Sequence, residues 1–281
     1  MESMHGRVQS LEQAERLAGR VGVLPVFPDP YEALPSLWEA VIGTREVTVF
    51  TVDDRGRRAL SAELGHIWWL KKQLAEQRRA CVGKHLRGRL VVLSREAVPL
   101  VYARTGRSGD VDDFDQPERM TRLELELARA LLEAGPATAP QLRRLVGSRS
   151  ATITKRALAS LQARFVITQV GEAEQPTGWA AAVFDLVARR YGHWLHHLPD
   201  PETALALLAE MLLRGAGERS AGEVARALGA ERAESMAALD RLVEEGSAQR
   251  RLEGRTPVYR AASGRSRGSR SSPDRLEPAG R

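Results

Sequence analysis

One internal repeat constrains this chain more than any other feature. Residues 134–147, AGPATAPQLRRLVG, match residues 216–229, AGERSAGEVARALG, at a constant offset of 82. Each copy closes a helix with Ala-Gly and then presents Thr138 or Ser220, residue types that cap the start of a second, short helix. Both second helices end at glycine, Gly147 or Gly229, and a third amphipathic stretch follows, with Leu158 and Leu161 in one copy and Leu239 and Leu242 in the other. A polar strand, a turn and a second strand come next: VITQVGEAEQPTGWAAAVFDL, then SAQRRLEGRTPVYRA. Three helices and a β-hairpin are the winged helix-turn-helix plan. The expected fold class is therefore α+β, mostly helical, with tandem winged helix-turn-helix domains.

The spacing predicts helices over 121–134, 139–146 and 150–163 in the first copy and a hairpin from Val166 to Phe184. Its third helix places Ile153, Ala157, Leu158 and Leu161 on one stripe and turns Thr152, Lys155, Arg156 and Gln162 outward. With Arg149, this outward face suits phosphates and base edges; its other reading is a solvated helix face. The second copy runs from Glu202 to Ala261. Its third helix exposes Glu231, Glu234 and Glu244, which phosphate repels, although the hairpin carries Arg250, Arg251, Arg255 and Arg260. The expected division is an N-terminal helical domain over 1–118, winged units over 119–198 and 199–262, and a disordered Arg/Ser-rich tail over 263–281.

Before the repeat, helices are expected over Ser10–Arg20, Tyr31–Ile42 and Glu63–Cys81, with the Pro-rich link LPVFPDP non-helical. The basic turn GKHLRGR, a strand at Leu90–Leu93 and a helix capped by Ser94 and ending at Gly106 follow. In the long helix, Ile67, Leu70, Leu74 and Cys81 form the apolar stripe, and Trp68 and Trp69 fall off it. Trp68 shares a face with Lys72 and Arg79. An aromatic ring among cations suits stacking on a base or wedging into a duplex, unless a second layer covers it. The turn with Lys84, His85, Arg87 and Arg89 is the densest basic cluster of the ordered chain and a candidate phosphate contact.

Charge is consistent with that partner. Lys+Arg number 42 against 36 Asp+Glu, a net charge of +6, and only Lys71, Lys72, Lys84 and Lys155 are lysines. The arginine bias reflects either codon usage or the preference of phosphate readers for a planar guanidinium. One cysteine, Cys81, excludes an internal disulfide and a Cys-rich zinc site and points to a reducing, cytoplasmic setting. The chain carries no long apolar run for a membrane and no leader-like start, and a metal or cofactor is not expected. His193, His196 and His197 have helical spacing but no carboxylate to complete a site. The loop starting at Asp110 places Phe114, Asp115 and Thr121 where a calcium loop needs a ligand, a glycine and a glutamate. Asp112, Asp113 and Asp115 remain as loop acids that could assist hydrolysis in a cleft. Walker A, G-x-S-x-G and H-E-x-x-H sequences are lacking.

The stretches PDPYEALPSLWEAV and IWWLKKQLAEQRRACVGKHLRG, with the repeated units behind them, resemble the AlkZ/YcaQ-like family of bacterial DNA glycosylases, in particular its shorter AlkZ-related members, over most of residues 15–260. The motif that carries the resemblance is Asp29-Pro30 followed by Leu37-Trp38. It implies tandem winged helices around a concave DNA-binding surface, a double-stranded DNA partner and a role in DNA repair; the sequence does not fix the oligomeric state, for which a monomer is favoured. The family's active members carry Gln-x-Gln or Gln-x-Asp just before the Asp-Pro, where the polar side chains position water. This chain has Val26, Phe27 and Pro28 there, none of which has a side-chain hydrogen-bonding group. The catalytic residues are thus unknown. The expectation is DNA binding of the family type, without its glycosylase chemistry. The alternatives are an active glycosylase using other residues and a winged-helix module that docks protein, which the acidic second helix 3 favours.

Overall fold

The computed structural model describes residues 7–28, 34–52, 55–175 and 180–262. Asp29, Pro30 and the tail from residue 263 lie outside the described residues. Helix α1 (Leu11–Val21) opens on a capping box of Ser10 and Gln13 and buries Leu11, Ala14, Leu17, Ala18 and Val21. The Pro-rich link begins as strand β1 (Val23–Pro25), at a sheet edge where Pro25 needs no donor. Helix α2 (Leu37–Ile42) is capped by Ser36, whose hydroxyl accepts from the Glu39 N–H while the Glu39 carboxylate accepts from Ser36; Tyr31, the expected start, lies outside the described residues. An unanticipated hairpin, β2 (Phe50–Val52) and β3 (Arg58–Leu60), precedes α3 (Ala62–Glu76).

Helix α3 stops short of Cys81. Arg78 adopts a left-handed φ of 55°, which breaks the helix and turns the chain into strand β4 (Cys81–Gly83). A 3-10 turn (Leu86–Gly88), strand β5 (Val91–Leu93) and helix α4 (Ala97–Ala103) follow. The Ser94 hydroxyl accepts from the Ala97 N–H, as its position predicts, but the α-helix ends three residues before Gly106.

The repeat is visible in the elements. The first copy holds α5 (Arg122–Ala134), β6 (Ala137–Thr138), α6 (Ala139–Leu145), α7 (Ala151–Ala163), β7 (Ile167–Ala173) and β8 (Ala181–Leu186). After α8 (Val187–Tyr191), the same order recurs as α9 (Pro201–Ala216), β9 (Arg219–Ser220), α10 (Ala221–Leu228), α11 (Arg232–Glu244), β10 (Ala248–Glu253) and β11 (Thr256–Ala261). Thr138 and Ser220 both complete capping boxes, with Gln141 and Glu223. The protein is thus helix-rich with antiparallel sheets, and no helix among the described residues is long and apolar enough to cross a membrane.

A six-stranded sheet of order β1-β5-β4-β7-β8-β6 takes strands from both sides of residue 118. The second copy has its own sheet, β10-β11-β9. The larger sheet is joined at its middle by one bridge, Val82 opposite Gln169, which the Thr168 hydroxyl reinforces by donating to the Val82 carbonyl at 2.8 Å. Beside it, the His85 ring lies edge-on to Phe165, its Nδ1 3.0 Å from the Gln162 carbonyl. Burial pushes the His85 pKa down to about 4, so the ring is neutral. The same burial pushes the Cys81 thiol up to about 12, which makes it inert.

Two predictions follow from this packing. A Cβ on Gly215 would lie 2.6 Å from the Val21 Cα and 3.0 Å from the Arg20 carbonyl. Gly215→Ala must therefore separate α9 from α1, and we expect a net loss of about 2 kcal/mol in urea unfolding, after about 1 kcal/mol of helix propensity is gained. His85 binds its proton more readily in the unfolded chain, with an ordinary pKa of 6.5, than in the fold, at about 4. Its neutral burial therefore costs nothing above the unfolded value, and stability falls as pH drops from 6.5 towards 4, by about 3 kcal/mol in total. Unfolding at stepped pH measures this, and His85→Gln should flatten the slope in that window.

Candidate nucleic-acid interface

Helix α7 is rotated relative to the periodicity reading. Counting 100° per residue from the buried Leu158, Thr154 and Gln162 lie four residues either side and share its face, whereas Ile153 falls on the opposite side. Accordingly Thr154 is buried, its hydroxyl bonded to the Ser150 carbonyl at 2.9 Å, and Ile153 is 56% exposed. Gln162, expected outward, is buried and satisfied: its Oε1 accepts from the Lys84 backbone N–H at 3.0 Å and its Nε2 donates to the Leu158 carbonyl at 3.2 Å. This rotation leaves Thr152, Lys155 and Arg156 exposed, with Arg149 just before the helix.

The Gln162 bond also fixes Lys84. Its backbone is tied to α7, so its exposed side chain borders the same groove as Thr152, Lys155 and Arg143 of α6. The groove has a volume of about 550 Å³ and a floor that includes Pro140, Leu158 and Phe184, and among the described residues no carboxylate lines it. Neither Lys84, Arg143 nor Lys155 has an ion-pair partner among the described residues. Three uncompensated cations around one apolar-floored groove give a local positive potential far above what a net charge of +6 spread over the chain would produce. Arg143 was not singled out from the sequence. It sits in a short helix whose outward face no local pattern distinguishes.

The other basic residues are placed elsewhere. His85 is internal and neutral, so the basic turn has one cation fewer than its sequence suggests. Arg89 donates to the carbonyls of Arg226 and Ala227, at 3.0 and 2.8 Å, and so clamps the end of α10. Arg87 is exposed but lines a separate cleft against α10, with Arg226 and Arg232. Trp68 is half-buried, its ring 5.7 Å from Phe27 and beneath the Lys71 ammonium at 4.9 Å. Of the two tryptophans it is Trp69 that is exposed, stacked on His66. Lys72 lies 3.8 Å from Glu76, and Arg79 bridges Glu12 and Glu15 of α1 at 3.3 and 3.0 Å. The structure therefore brings Lys84, Thr152 and Lys155 together, with Arg149 and Arg156 on the flanking surface, and leaves Trp68, Lys72, Arg79, Arg87 and Arg89 outside the groove.

The segment where a catalytic motif would stand is part of the N-terminal core. Val26 is fully buried, its N–H bonded to the Leu90 carbonyl and its carbonyl to the Trp38 N–H. Leu37 and Trp38 are buried as well, and the Trp38 indole donates to the Glu46 carbonyl at 3.0 Å, so this pair serves packing. Among the described residues, contacts from Phe27 by way of Trp68 and Lys71 lead to the carboxylate of Glu172, held by Lys71 at 2.8 Å. Of the three loop acids, Asp112 is exposed, whereas the other two are engaged. Asp113 accepts from the Tyr102 hydroxyl and the Gly109 N–H, and Asp115 pairs with Arg129. His193 lies in a 3-10 turn and His197 has a left-handed φ of 57°, so the three histidines do not form a helical face. Among the described residues no cluster of three or more side chains could hold a metal ion.

Comparison with known proteins agrees with this architecture. The family model described as AlkZ related matches residues 8–229. No curated protein matches the chain. Among solved structures, the DNA glycosylase AlkZ of Streptomyces sahachiroi is similar in fold, with a TM-score of 0.54 at 17% identity. That alignment covers 92% of this chain and 66% of the Streptomyces enzyme, so the present chain spans just under two thirds of that relative. A protein of Corynebacterium diphtheriae, DIP2311, aligns over 71% of this chain and 39% of its own at 14% identity, with a TM-score of 0.22. The family match takes in most of the chain, both strands β4 and β5 and the whole first repeat copy included, and the protein belongs to the AlkZ-related family.

Proposed function

We propose that this AlkZ-related protein binds double-stranded DNA as a monomer in a repair-type role in the bacterial cytoplasm, without excising bases by the glutamine-based chemistry. The observation that carries the reading is the convergence of Lys84, Arg143 and Lys155 on a groove whose lining, among the described residues, holds no carboxylate. In this reading residues 119–198 and 199–262 are tandem winged helices, and α7 is the helix presented to the duplex with its N-terminal residues foremost. Thr152 and Arg149 lie at that end and can meet phosphate oxygens, while Lys155 and Arg156 extend the contact along the helix. Cations drawn from α6, α7 and the β4–β5 turn favour recognition of duplex shape or damage over a base sequence, because phosphate contacts position a protein without reading bases.

The absence of glycosylase chemistry is supported by the burial of Val26 and by the lack of any side-chain hydrogen-bonding group on Val26, Phe27 or Pro28. Attack on the sugar carbon needs a group that holds and deprotonates water, and these three residues offer none.

A fluorescent duplex titrated at several salt concentrations tests both parts. Lys84→Glu combined with Lys155→Glu should weaken binding by at least about tenfold and flatten the slope of log K against log salt by about 2, since each phosphate contact contributes about 0.9. Arg87→Glu should have the smaller effect. Unchanged affinity and slope in the double variant would sink the groove and favour protein docking. Incubation with alkylated duplex should release no base above background, and abasic sites formed in proportion to protein would overturn the silent-enzyme reading.

A further inference from the structure

A second cationic cleft lies at the opposite end of the same strands. Lys84 follows the last residue of β4, whereas Arg78 and Arg79 precede its first residue, Cys81. Cys81 pairs with Leu93, so the β5–α4 turn, with Ser94, Arg95 and Glu96, falls beside Arg78 and Arg79. The 3-10 turn carrying His193 and Trp194 closes the third side, and the α1 residues Glu15 and Gly19 the fourth. The cleft has a volume of about 450 Å³.

Its charges are unevenly matched. Arg79 is spent on Glu12 and Glu15. Arg78 and Arg95 have no ion-pair partner among the described residues, although Glu96 borders the cleft as well. The His193 pKa is lowered, by partial desolvation first and then by the like charges of Arg78, Arg95 and His196, so these groups stand close enough to repel one another. Trp194 forms a wall of the cleft, stacked on the buried Tyr191 at 4.6 Å with the Arg95 guanidinium 6.0 Å over its ring.

We propose that this cleft is a separate anion site that binds a phosphate monoester, with Arg78 and Arg95 as its cationic donors, His193 as a third donor and Trp194 as the wall for the group the phosphate carries. Two guanidinium forks and an imidazole converge on a dianion with three terminal oxygens better than on a planar carboxylate. The cleft is larger than a bare phosphate, and its aromatic wall suits an attached sugar or base. Two sources carry that chemistry, a free nucleotide and the phosphorylated end of a DNA strand. The site does not depend on the α7 groove for its binding. A dianion in the cleft offsets the repulsion on His193, so ligand binding is coupled to proton uptake at that ring.

The test follows the His193 ring proton by NMR in the full chain, assigned with His193→Gln. Inorganic phosphate, AMP and a short duplex with or without a 5′-phosphate are titrated in turn. The expected result is a saturable His193 shift with inorganic phosphate and an upward move of its titration midpoint. AMP binding more tightly than phosphate assigns the free nucleotide as the source, and phosphorylated duplex binding more tightly than its unphosphorylated twin assigns the DNA end. Arg95→Gln or Arg78→Ala should weaken the phosphate-induced shift by at least about tenfold in affinity, as loss of a charge-assisted fork requires. Lys84→Glu with Lys155→Glu should leave it unchanged, which separates failure of this site from failure of the groove. No saturable shift at millimolar phosphate in the wild-type chain, or equal affinity in the Arg95→Gln variant, would overturn the proposal.

Discussion

The bridge between β4 and β7 is the constraint on which the rest of the structure depends. It joins strands of the N-terminal region to the hairpin of the first repeat copy through one residue pair, Val82 and Gln169. A single pair is a weak joint, and the polar groups around it make it specific. Thr168 donates to Val82, the Gln162 amide accepts from Lys84, and His85 meets the Gln162 carbonyl. All of these groups are buried apart from Lys84, so each missing bond would leave an unsatisfied polar atom costing about 1–3 kcal/mol. Satisfied together, they hold α7 at one angle to β4. Gly83 belongs to the same arrangement, since a Cβ there would sit 2.5 Å from the His85 ring.

The abundance of arginine has a structural explanation that composition does not suggest. Arg190 donates to the carbonyls of Ala75 and Glu76 at the end of α3, and Arg107 to those of Arg164 and Phe165 beyond α7. Arg189 does the same at Leu131 and Leu132 of α5, and Arg89 and Arg104 share the end of α10. The last carbonyls of a helix have no intrahelical partner and carry the negative end of its dipole. A guanidinium reaches two such oxygens in a fixed fork, which an ammonium does not. Many arginines thus tie helix ends together across the molecule and are lost to any ligand. Two of the four lysines, Lys84 and Lys155, border the open groove instead.

Much of the local structure was legible because its signals are local. The Ser/Thr caps, the Gln or Glu three residues on, and the glycines after the helices define the repeat without reference to the rest of the chain, and α5, α6 and α7 fall within a few residues of the expected limits. The misjudged features depend on distant partners. Gln162 reads as a surface residue until β4 supplies Lys84 as its donor. Ile153 reads as core because aliphatic residues usually are, yet the packing face is set by Leu158 and its neighbours four residues away. Cys81 reads as the last rung of an apolar helix until Arg78 ends that helix and Leu93 takes Cys81 as a strand partner. The candidate site was half legible: Lys84, Thr152 and Lys155 came from sequence, whereas Arg143 and the separation of Arg87 from Lys84 did not.

The sequence by itself determined the repeated order of helices and strands, the sites where helices begin, the resemblance to the AlkZ-related family and the lack of hydrogen-bonding side chains at Val26 and Pro28. These follow from short-range backbone chemistry and from the identity of side chains at fixed offsets. The tertiary structure alone decided which cations are free. A guanidinium has the same charge whether it faces solvent or a helix end, and only the fold brings carbonyls to Arg89, carboxylates to Arg79 and an open groove to Lys84 and Lys155.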